Sequence, residues 1–90
     1  IKTEMKKPEN EVIKECLDKF IEYANTLKDE GIEPKLVSHA MMCASTVYIT
    51  YALAGNDGYL ADADVDKVVG VYKTELQRIQ TIKKSNQESR

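Results

Sequence analysis

Between Leu36 and Asn56 the chain carries no Asp, Glu, Lys or Arg, and the run LVSHAMMCASTVYITYALAGN lies between Pro34 and the turn pair Asn56 and Gly58. A run of this length suits a helix of about five turns. Pro34 fits a first helical turn, where its missing N–H has no intrahelical partner, and Gly55 can take the left-handed conformation that ends a helix. The spacing predicts a central helix over 34–54. On a helical wheel Leu36, Val37, Ala40, Ala44, Val47, Tyr48 and Tyr51 form one broad apolar side, and Met41, Met42, Ile49, Ala52 and Leu53 extend round the other. Only His39, Cys43, Thr46 and Thr50 make a narrow, weakly polar band. A helix apolar nearly all round must be buried on most sides or sit in lipid.

Lipid is the less favoured of the two. Two serines, two threonines, two tyrosines and His39 are spread through the run, and no basic cluster flanks it to set an orientation. The expectation is a buried core helix and no membrane.

The flanking segments read as cover for that helix. Apolar positions Val12, Ile13, Cys16, Leu17, Phe20, Ile21, Ala24 and Leu27 repeat as one helical face, so a first helix is expected over about 9–30, with Pro8 in its first turn and Gly31 as its stop. Val65, Val68, Val69, Tyr72, Leu76 and Ile79 form the stripe of a third helix over about 63–83, with Asp62 or Asp64 as its N-cap. Tyr59 and Leu60 should tuck back on the core, and residues 1–8 and 85–90 should be loose. Short connections at 31–33 and 56–62 favour adjacent elements. The architecture expected is all-α, a single domain over 1–90 built as an up-down-up bundle of three helices. Two stripes cannot cover a helix that is apolar nearly all round. Homodimerisation is therefore expected to complete the fold, with the small residues Ala40, Ala44, Ser45 and Ala52 at the interface.

Composition narrows the function classes. With 90 residues, 42% hydrophobic and 31% charged, the chain has the makings of a small globular domain. A net charge of -2 with basic and acidic residues interleaved gives no footprint for nucleic acid. The segment IKTEMKK has no apolar stretch behind it, so no secretory signal is read there, and a chain opening on Ile1 is expected to lack some N-terminal residues. Cys16 and Cys43 form no paired metal motif and read as buried small hydrophobes in a reduced, cytoplasmic protein.

Few residues offer chemistry. His39 is the only histidine, and Glu75, at the edge of the third stripe, is the candidate to orient it. His39 and Cys43 at i, i+4 would supply two metal ligands from one helix, but a site needs two more. Asp62, Asp64 and Asp66 match the start of a calcium loop, yet Lys67 stands where Gly is needed and Lys73 where a bidentate Glu is needed. No phosphate loop or nucleophile motif is present, so no metal or cofactor is expected and the reading leans away from catalysis. Tyr48 and Tyr51, with His39, Cys43 and Glu75, could line a pocket for a small apolar or planar molecule.

The segments Phe20-Ile21-Glu22-Tyr23-Ala24-Asn25 and Val37-Ser38-His39-Ala40, followed by Ala44 and Tyr48, resemble a family of small bacterial helical proteins known as a domain of unknown function. The resemblance covers about half the chain. It implies a bacterial or phage cytoplasmic helical protein and carries no activity or site residues. The reading from sequence is a small self-associating helical protein acting through protein contacts. The alternative is a small-molecule-binding or enzymatic domain with a pocket beside the central helix.

Overall fold

A computed structural model describes residues 7–89, so the expectation of a loose segment over 1–6 and at residue 90 lies outside the described residues. The protein is all-α, with α1 at Glu9–Asp29, α2 at Pro34–Ala54 and α3 at Asp62–Glu88. No strand occurs among the described residues. The chain divides into two compact units, Ile1–Val47 and Tyr48–Arg90, with the division inside α2.

In the first unit, Pro8 is not in the helix as expected from sequence. It is the extended N-cap, and its carbonyl accepts the N–H groups of Glu11 at 3.0 Å and Val12 at 3.2 Å. Glu9 and Glu11 then lie in the first turn, where the helix dipole favours negative charge. α1 stops at a Schellman turn. Gly31 has φ +105°, the Ile32 N–H donates to the Leu27 carbonyl at 3.2 Å, and the Gly31 N–H donates to the Lys28 carbonyl at 2.9 Å. Two residues later Glu33 opens α2, its carbonyl accepting from Leu36 and Val37. The adjoining ends of the two helices meet here: Ala24, Asn25 and Lys28 of α1 face Pro34, Val37, Ser38 and Met41 of α2 across an open groove of about 190 Å³. Val37 is 7% exposed and is the one buried residue among those described.

In the second unit α2 ends at Gly55, which has φ +82° and donates its N–H to the Tyr51 carbonyl at 2.8 Å. Gly58 follows so closely that a Cβ there would run into the Ala54 carbonyl oxygen. α3 begins one residue earlier than expected and is capped differently. Ala61 is the N-cap, its carbonyl accepting from Asp64 at 2.9 Å and Val65 at 3.0 Å, while Asp62 and Asp64 complement the dipole from inside the first turn. The helix also runs past Lys83 to Glu88, so residues 85–88 are helical where a loose tail was expected. After Gly70 no glycine or proline interrupts it, and the Ser89 hydroxyl closes its end on the Ser85 carbonyl at 3.0 Å.

Gly58 and Gly70 make opposite predictions for one substitution. At Gly70, inside α3, an added Cβ meets nothing within 4 Å, so Gly70→Ala should stabilise by about 1 kcal/mol through helix propensity. Gly58→Ala should destabilise by about 2 kcal/mol, because backbone must move to admit the methyl group. Thermal melts of the two variants should shift in opposite directions, and a common direction would refute the account.

Burial departs most from expectation. The chain was expected to cover α2, yet only Val37 of α2 is buried. Cys16 and Cys43 are exposed free thiols instead of core residues, and Tyr59, expected on the core, is 86% exposed. Half-buried positions are few: Ala24 and Leu27 in the first unit, and Ile49, Thr50, Ala54, Leu60 and Val68 in the second. The stripes that periodicity picks out are all present, but their large residues, such as Leu17 and Phe20 in α1 and Val69 and Tyr72 in α3, remain exposed.

Candidate interaction surface on the central helix

Helical spacing puts Leu36, Ala40, Ala44, Val47, Tyr48 and Tyr51 on one face of α2. No charged residue interrupts it, because none occurs between Leu36 and Asn56. Its large side chains stand in water, with Leu36 60%, Val47 71%, Tyr48 69% and Tyr51 49% exposed. Ala40 and Ala44, between them, are exposed too. Tyr48 and Tyr51 form a tilted ring pair with centroids 5.6 Å apart, which stiffens that end of the face. Ser45 and Ala52, the other small residues expected at an interface, lie on the same helix about a quarter turn or more away and are also exposed.

α2 is also long and apolar enough to cross a membrane, and little of it is buried.

The residues singled out for chemistry are placed as follows. His39 and Cys43 lie one turn apart on α2, both exposed, and the Cys43 carbonyl accepts the Thr46 hydroxyl at 2.7 Å. Tyr48 and Tyr51 come together as a ring pair. Glu75 is engaged within α3, where Arg78 donates to it from Nε and Nη2, each at 2.9 Å. None of these five residues lines the groove beside Val37. Among the described residues no group of three His, Cys, Asp or Glu side chains could hold a metal ion. The groove itself and Lys7 were not picked out from sequence. Lys7 donates to Glu15 at 2.7 Å across eight residues, and no periodicity signals a pair of that span.

Charge acts locally. The hydrogen bond from Lys7, aided by its charge, lowers the Glu15 carboxyl below its usual value, and the hydrogen bonds from Arg78 do the same for Glu75. A carboxyl whose pKa is lowered on folding stabilises the fold above its unfolded value, and that support is lost as pH falls through the folded value. Glu75→Gln should therefore cost a little thermal stability at pH 7, in keeping with an exposed pair, and progressively less as pH falls through the lowered folded value of Glu75. Melts of both proteins at pH 7 and pH 3 test this, and a deficit undiminished at pH 3 would assign Glu75 a different role.

No family profile, curated protein or solved structure is detectably similar to this chain.

Proposed function

We propose that this chain is a self-associating helical protein that acts through protein contacts, with the uncharged face of α2 as the contact surface. One observation carries the reading: the uncharged face of α2 made by Leu36, Ala40, Ala44, Val47, Tyr48 and Tyr51 is exposed. Exposing that much apolar surface is costly in water, and a second copy is the simplest way to remove it. In this reading each protomer is a single domain, an up-down-up three-helix bundle that leaves this face of α2 uncovered, and homodimerisation completes it. A reducing cytoplasm suits the two exposed thiols. The net charge of -2 argues against nucleic acid as the partner.

A second reading has its own observation. The length and hydropathy of α2 would also suit a membrane-seated helix. Native mass spectrometry of protein purified without detergent separates these outcomes. A dimer mass without adduct is expected. Recovery only from membranes would favour the lipid reading, and an added mass lost in His39→Ala would make the chain a ligand-binding domain.

A further inference from the structure

Resting on that self-association, we infer that zinc, when supplied, fastens two copies together, His39 and Cys43 of each copy providing the ligands of one shared ion. His39 and Cys43 are one turn apart on α2, which sets an imidazole above a thiol with Cβ atoms about 5–6 Å apart, close enough for both to reach one ion. Both belong to the first unit, Ile1–Val47, so a single turn of helix inside that unit fixes their spacing. The pair also points away from α1. Val37 and Met41 line the groove against α1, and at about 100° per residue His39 and Cys43 lie roughly 120–160° round the helix from them. A copy joined at this turn approaches without meeting α1 or disturbing the contact that buries Val37.

The ligand count selects the occupant. Zinc takes nitrogen and thiolate ligands in a closed tetrahedron, and among the described residues no third His, Cys, Asp or Glu is placed to join this pair. One chain therefore supplies half a site. A twofold axis through the ion completes it as two imidazoles and two thiolates. Each thiol gives up its proton on binding, so the two thiolates cancel the charge of the divalent ion. A neutral site suits its place, because no charged residue lies between Leu36 and Asn56 to balance a charge left between the copies. Magnesium and calcium take oxygen ligands and do not fit the pair.

Reduced, metal-free, full-length protein titrated with zinc chloride tests the site by native mass spectrometry and light scattering. One zinc per two chains is expected, and free zinc at about 100 times its dissociation constant should tighten the dimer about 100-fold. His39→Ala and Cys43→Ser should each lose the ion and that gain while keeping helical ellipticity, whereas Cys16→Ser should keep both. Magnesium chloride should change nothing. Cobalt, which accepts the same ligands, should give the visible absorption of a tetrahedral thiolate site in the parent chain and none in Cys43→Ser. A dimer that zinc neither enters nor tightens would overturn the shared site while leaving self-association intact. One zinc per chain, or full retention of zinc in His39→Ala, would overturn it too. A monomeric mass both with and without zinc would overturn self-association itself.

Discussion

Ala44→Arg is expected to turn a dimer into a monomer while leaving the helices in place. The substitution puts a guanidinium in the middle of a face with no acidic residue between Leu36 and Asn56 to receive it. Removing an unpaired charge from water costs several kcal/mol, so association should weaken by about 1000-fold or more, equivalent to about 4 kcal/mol. In the isolated chain Ala44 faces solvent, so the arginine has no intramolecular clash and far-ultraviolet circular dichroism should keep its helical shape. Lys35→Glu, outside the face, should stay dimeric. Light scattering behind size exclusion reads both variants. A dimeric Ala44→Arg protein with native helicity would remove α2 from the interface.

Val37→Asp should have the largest effect on the fold of the first unit. Val37 is the one buried residue among those described, seated where Ala24 and Lys28 of α1 approach Met41 of α2. A carboxylate there exchanges apolar contact for a desolvated charge, at a cost of about 3 kcal/mol. Ser38→Asp provides the contrast. Ser38 is exposed and close to the N-terminal end of α2, where negative charge is favourable, so its effect should be within about 0.5 kcal/mol of zero. Urea unfolding should separate the two clearly. Equal midpoints would mean that the Val37 contact does not hold the unit together.

Much of the helical layout was legible because particular residues allow few alternatives. Pro34 and Gly55 bracket α2, and Gly31 ends α1 through a turn that needs a positive φ. The start of α3 was less legible. Asp62 and Asp64 favour an N-cap and a first turn alike, and the backbone used Ala61 as the cap. Its end was missed because Ser85 and Asn86 are indifferent helix formers, while Gln87 favours a helix and no Gly or Pro stops it. Burial was the least legible property. Periodicity at Val12, Leu17 and Phe20 reports which face avoids water, but it does not say whether the same chain or another covers it. For the same reason, a buried state could not be read for Cys16 or Cys43 from their places on apolar stripes.

The turn from Leu27 to Ile32 bears on the order of events in folding. Its hydrogen bonds join residues at most five apart, so it closes without a long search, on a timescale well under a millisecond. Contacts this local give rapid formation of helices and connections. The meeting of two α2 faces in the proposed dimer is a second-order event. Refolding from urea would then separate in time: helical ellipticity would return at a rate blind to protein concentration, and the assembled species would follow at a rate that rises with it.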